Sequence, residues 1–355
     1  MNDLARVLND DDRLKRALDL ARAGRALEIR RDLSGALERY GQARMLLHDM
    51  GPTPLLASVL RWQGTVHRDL GKVDRADDLY RKSLAVARAS SSIVSEARAL
   101  NCRATIAQRR GHMERAAALY RDAALRSAVA GEIRLSGMIA QNLAVLSTIV
   151  GDLDEALTQY RSALRAFEEV ADDEARSWVL NNLGMLFNDL GEPQQAEDAL
   201  LLGLELARAR KDRHMEAILL TNLAEGRIAQ ERWEEAKDAL DQALVIAMDG
   251  EDPGRIAEIL KFRGVLAREQ GRFDSAAAHF GKALAVARNI HDTLLTAEAL
   301  REIGILHRIR GEEEGARSAL TEALEAFTRL NAKRDGAITK ELIEAAEPQP
   351  AEREE

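Results

Sequence analysis

Three asparagines stand forty residues apart, at Asn142, Asn182 and Asn222, each with a large apolar residue four positions before it: Met138, Trp178 and Ile218. On a helix, positions i and i+4 share a face. An amide offers donors and an acceptor at once, and a thioether or indole offers apolar contact. The chemistry these residues can do is recognition: hydrogen bonds set beside an apolar anchor. The residue types that carry catalysis are less well placed. The seven histidines form no close pair with metal-ligand spacing. His67 and His307 share a column with Leu27, Ala107 and Phe187, which reads as packing. Gly71-Lys72 is followed by Val73 and lacks the preceding glycine of a phosphate-binding loop, and no G-x-S-x-G elbow occurs. Cys102 is the single cysteine, so no internal disulfide or cysteine metal cluster can form, and it reads as a small inert hydrophobe. No acid, base and nucleophile converge, so neither an enzyme nor a cofactor is expected.

The composition narrows the scaffold that must hold these residues. Of 355 residues, 46% are hydrophobic but only 4% aromatic, so the apolar share is mostly Ala and Leu, both helix formers. With only six prolines, the chain reads as all-α. A net charge of −8 argues against nucleic acid or an anionic membrane as the main partner. No uninterrupted apolar run reaches the length of a membrane span. The N-terminal stretch is polar and acidic rather than a secretory signal, so a cytoplasmic location is expected. The excess of arginine over lysine and the abundant alanine suggest a GC-rich bacterial source.

The elements that position the asparagines come from a repeat. Gly71, Gly111, Gly151, Gly191, Gly271 and Gly311 lie on a 40-residue grid, which Arg31 and Glu231 complete. Five residues after each grid point stands an alanine, from Ala36 and Ala76 to Ala316, without exception. Seven before it stands Gly or Ala, as at Gly24, Gly64, Ala104 and Gly184. Nine after it comes a large residue, as at Tyr40, Tyr80, Tyr120, Tyr160 and Phe280. Small columns facing large ones let two helices interdigitate closely. Each unit therefore reads as helix A, a tight turn and helix B, with the grid glycine supplying the left-handed residue that ends helix A. Eight such units account for 320 of the 355 residues.

These columns resemble the tetratricopeptide repeat, as in Gly64–Ala76–Tyr80 and Gly184–Ala196–Leu200. The aromatic usual at the start of helix A is here mostly leucine, and the unit is six residues longer than the common 34. The extra residues are expected to lengthen the two helices by about one and a half turns in total. The longer unit looks like the arrays of kinesin light chains, Pins-like modulators and bacterial signal-responsive regulators. HEAT repeats have a similar period but do not share the fixed columns. The resemblance implies an α-solenoid, a right-handed superhelix of about eight units with helices A on its concave face. The expected organisation is an array over residues 1–333 with an N-terminal cap, a capping helix over 334–346 and a disordered acidic tail over 347–355.

By the columns such arrays use for ligands, the resemblance implies a peptide groove at Met138, Gln141, Asn142, Trp178, Asn181, Asn182, Met185, Ile218, Thr221 and Asn222. Arg61, Arg98, Asn101, Lys261 and Arg301 would flank it. Against this stands a structural role for the asparagines, bridging neighbouring repeats, and mutual pairing of the flanking charges. The two-carboxylate clamp of some family members is not reproduced in any three consecutive units, so a chaperone C-terminal peptide is not the expected ligand. The function expected is a non-enzymatic scaffold that binds a peptide segment of a protein partner. The alternative is a bacterial regulator that senses a peptide or small ligand and controls a separate effector, since the 35 residues outside the units are too few for an output domain.

Overall fold

The structure, a computed structural model, describes residues 2–344. The expected tail over 347–355, and the last two residues of the expected capping helix, lie outside these. Among the described residues there are helices and turns and no strand. The helices fall into two compact units that divide after Asp172.

The first unit holds α1 (Asn2–Ile29), α2 (Leu33–Leu47), α3 (Pro54–Asp69), α4 (Val73–Ala89), α5 (Ile93–Arg109), α6 (Met113–Ala130), α7 (Ile133–Val150) and α8 (Leu153–Glu169). The second holds α9 (Asp173–Asp189), α10 (Pro193–Ala209), α11 (Arg213–Ala229), α12 (Trp233–Asp249), α13 (Pro253–Glu269), α14 (Phe273–Asn289), α15 (Thr293–Ile309), α16 (Glu313–Arg329) and α17 (Lys333–Glu344). Odd-numbered helices up to α15 are the A helices and even-numbered ones the B helices. Each A helix packs most extensively on its own B helix, within each unit a B helix packs next on the following A helix, as α4 on α5 and α10 on α11, and A helices also touch, α3 on α5 and α11 on α13. The extra residues of the long repeat are helical: most helices run 17 residues, with three-residue connections such as Ser90–Ser92.

The small and large columns meet as their spacing predicts. A Cβ added to Gly64 would lie 2.5 Å from Cε1 of Tyr80, and one on Gly184 would lie 2.5 Å from Cγ of Leu200. Both large side chains are buried. Each such residue withdrawn from water stabilises its pair by about 1.5–3 kcal/mol. There is no single interior. Apolar clusters follow one another along the pairs, one from α4 to α7 and another from α10 to α13.

Every A-to-B turn ends in a left-handed residue on the 40-residue grid, six times glycine, but also Arg31 (φ 63°) and Glu231 (φ 58°). The B-to-A turns repeat the device twenty residues later. There the left-handed position is filled by Gly51 and Gly131, but also by Ser91, Ala171, Lys211, Glu251, His291 and Asn331. At each of these except Gly51, which Pro52 follows, the amide of the left-handed residue and the next amide bond back to the helix end; Ser91 N–H donates to Arg88 C=O and Ser92 N–H to Ala87 C=O. The A helices α3, α5, α11, α13 and α15 then start on side-chain caps, as where Asp212, Asp252 and Asp292 accept from the amides of Met215, Arg255 and Leu295.

One helix departs from the expectation about membrane spans. α7 has the length and mean hydropathy, 18 residues and 1.4, of a spanning helix, and 44% of it is buried. Arg134, Gln141 and Asn142 interrupt its apolar run in the sequence. It packs against α6 and α8, so its apolar character belongs to the interior of the first unit.

Candidate interaction groove

In the first unit the A helices α1, α3, α5 and α7 line an open concavity of about 690 Å³. The 40-residue register and the helical period bring Trp62, Cys102 and Asn142 onto one column of successive A helices, with Arg61 and Asn101 one position earlier. Trp62 stacks on Tyr40 at 5.9 Å between ring centres and 22° between planes. The Arg61 guanidinium lies over the Trp62 ring at 5.5 Å. Met138, 38% exposed, and Leu135 supply further apolar lining.

The amides are partly used inside the fold. Asn142 Nδ2 donates to Asn101 Oδ1 at 3.0 Å, tying α7 to α5. In the second unit, Asn222 Nδ2 donates to Asn181 Oδ1 at 2.7 Å, tying α11 to α9. Asn101, Asn181 and Asn222 are buried, while Asn142 and Asn182 are half-buried and keep capacity toward solvent. The bridging role weighed from the sequence is thus present, whatever else the ladder does.

The remaining expected site residues divide by exposure. Trp178, 37% exposed, and half-buried Gln141, Asn182 and Met185 reach solvent. Thr221 is fully buried, and its hydroxyl donates to the Ala217 carbonyl of its own helix. Ile218 belongs to the apolar interior of the second unit. Met138, Gln141 and Asn142 lie in the first unit and Trp178 to Asn222 in the second.

Charge differs between the units. In the second, the flanking cations are matched. Lys261, 13% exposed, pairs with Glu298 at 2.5 Å and lies over the Phe262 ring. Arg268 pairs with Glu302, and Arg301 with Asp335 at 2.7 Å. The Glu225 carboxyl is pushed up from its ordinary range, chiefly by burial, with Lys261 pulling it down and Glu258, Glu298 and Asp189 adding to the rise. In the first unit the concavity holds Arg25, Arg61, Arg68, Arg98 and Arg134 against Glu28 and Glu132. Arg25 pairs with Glu28 at 2.5 Å, Arg98 with Glu132 at 3.6 Å and Arg134 with Asp172 at 2.7 Å. Among the described residues no carboxylate pairs with Arg61. Burial, then repulsion from Arg61, hold Arg98 below the usual guanidinium range; Glu132 opposes the shift and Arg134 adds to it. Trp62 and Arg134 were not among the expected site residues. Trp62 shares the column of Asn142, Asn182 and Asn222, so the signal for it was there. Among the described residues no group of three or more His, Cys, Asp or Glu could hold a metal ion.

A family model of the tetratricopeptide repeat matches residues 137–209, 214–289 and 255–329, more than half of the chain. The chain belongs to the tetratricopeptide repeat family. No curated protein matches it in sequence. Among solved tetratricopeptide structures it is similar to a Rap protein complexed with competence and sporulation factor, at 14% identity and a TM-score of 0.62, over 95% of this chain and 98% of that one. It is similar to the Rap conjugation gene regulator of plasmid pLS20 in complex with the Phr* peptide, at 17% identity and 0.57, over 77% and 73%. It also resembles the apo quorum sensor NprR from B. thuringiensis, at 18% and 0.55, over 93% and 87%. At such identities the likeness establishes a shared repeat architecture.

Proposed function

We propose that this tetratricopeptide array is a non-catalytic interaction module that takes an extended peptide segment of a partner protein on its A helices. The observation that carries the reading is the concavity of the first unit, where Trp62, Leu135 and Met138 offer apolar anchoring beside the Asn101–Asn142 amide pair. An extended chain presents unpaired N–H and C=O groups at every residue, and a half-buried amide with spare donor and acceptor capacity suits them. In the second unit Trp178, Asn182 and Met185 are the residues placed for the same work; Ile218, Thr221 and Asn222 act as its support. Solved relatives of this architecture include one with a bound peptide, which agrees with the reading without deciding it.

The test is selection of random twelve-residue peptides on the wild-type chain and on a Trp62→Glu/Met138→Glu variant whose helicity and melting match wild type. Peptides retained by the wild type and lost by the variant are expected. A set retained equally by both would remove the groove from the account.

A further inference from the structure

A chain of net charge −8 lines this one face with five arginines and two glutamates, while Asp69 and Asp172 pair with Arg68 and Arg134 from beside it, so that among the described residues Arg61 is the cation left unmatched. The arginines are arranged. Arg61 on α3, Arg98 on α5 and Arg134 on α7 do not share a column: relative to the 40-residue register, each lies three or four residues earlier than the one before. That is one helical turn per helix, so the three guanidinium groups form an oblique track across three adjacent A helices. Neighbouring helix axes stand about 8–10 Å apart and one turn rises about 5.4 Å, so successive arginine positions are about 10–11 Å apart along the track at the level of the helices. A peptide in the polyproline II conformation, with three residues per turn and about 3.1 Å of rise per residue, covers close to that distance in three residues and returns every third side chain to the same face.

From this geometry we infer that the first-unit groove selects an acidic peptide with a carboxylate at about every third residue, read by Arg61, Arg98 and Arg134, with apolar residues between them against Trp62 and Met138. The inference rests on the peptide reading above and adds the chemistry of the partner. Arg61 is the reader that no carboxylate among the described residues pairs with, and its guanidinium, 5.5 Å from the centre of the Trp62 ring, is a planar fork that suits bidentate carboxylate binding. Among the described residues Arg98 pairs only with Glu132, at 3.6 Å, and the two neighbouring arginines repel it, so an arriving anion relieves a repulsion already present. Arg134 is held in place by Asp172 at 2.7 Å and by Met138 Sδ at 3.5 Å, which orients it as the end of the track. A phosphate polymer meets the same cations, but the apolar lining between them suits side chains better than ribose, and the chain's overall negative charge opposes a long polyanion.

The test measures fluorescence anisotropy of a neutral-dye-labelled nonapeptide with glutamate at every third position and Ala or Leu elsewhere, against the full chain. Three competitors are used: the same peptide with lysines, a composition-matched peptide with its glutamates contiguous, and a twelve-nucleotide oligouridylate. The spaced glutamate peptide is expected to bind at low salt and weaken in 0.5 M salt. The lysine peptide should not bind, and the clustered peptide and oligouridylate should compete less well. Arg61→Gln with Arg98→Gln should weaken binding by about tenfold. Arg61→Lys keeps the charge, so it should lose less affinity and retain the salt dependence, whether or not the double variant folds. Equal binding of glutamate and lysine peptides, lost in Trp62→Glu/Met138→Glu, would overturn the acidic specificity and leave the groove reading standing. Oligouridylate competing as well as the glutamate peptide would overturn the peptide assignment. Binding that no groove substitution changes would overturn both.

Discussion

At the scale of single residues, the asparagine ladder has a double identity. Asn142 holds Asn101, and Asn222 holds Asn181, across successive A helices. A hydrogen bond of this kind contributes about 0.5–1.5 kcal/mol net, and leaving one buried partner unsatisfied costs more. A double-mutant cycle on Asn101→Ala and Asn142→Ala should therefore show a coupling of about 0.5–1.5 kcal/mol in chemical denaturation; additive losses would remove the bridge. Glu225 makes the opposite contribution. Its carboxyl is pushed up in the folded chain, chiefly by burial. The folded state holds that proton more tightly than the unfolded one, so the stability it contributes is present below the ordinary carboxylate range and is lost as pH rises through the raised value. Glu225→Gln should match wild type in acid and melt at higher temperature at neutral pH. A melting difference that stays flat with pH would refute this.

At the scale of elements, the turns show what the sequence discloses and what it conceals. The A-to-B turn is legible because six of eight left-handed positions are glycine. The B-to-A turn uses the same conformation, yet Ser91, Ala171, Lys211 and Glu251 occupy it, since a cost of about 1 kcal/mol per residue is within what packing of two long helices offsets. No residue type marks such a turn. Glu231 sits on the legible grid with φ 58°. Glu231→Gly should raise stability by up to about 1 kcal/mol, with the reciprocal loss for Gly71→Glu; a Glu231→Gly that destabilises would contradict that account. The columns of small and large residues were equally legible, because close approach at Gly64 and Gly184 restricts residue size directly. The site was only partly so. Column position puts Asn142 and Trp178 on A helices where they reach solvent, but Thr221 turns its hydroxyl onto Ala217 and Ile218 joins the interior, a choice made by neighbouring helices rather than by register. Pairing of Lys261 and Arg301 with carboxylates 37 and 34 residues later depends on reach between repeats, which no column records.

At the scale of the molecule, an array of this kind has its stability spread over neighbour-to-neighbour interfaces, leaving the A-helix faces free to specialise. The two compact units have done so differently. The second meets its cations with Glu298, Glu302 and Asp335, while in the first no carboxylate among the described residues matches Arg61 beside Trp62. In the proposed function, the first unit is accordingly the part of the molecule where a partner's own groups would complete the surface. Hydrogen–deuterium exchange on the full chain, with and without a peptide selected as above, tests the central claim most directly. Protection on binding is expected in α3, α5 and α7, with the B helices α2, α4 and α6 unchanged. Protection confined to the B helices, or none on the A helices at saturating peptide, would contradict it.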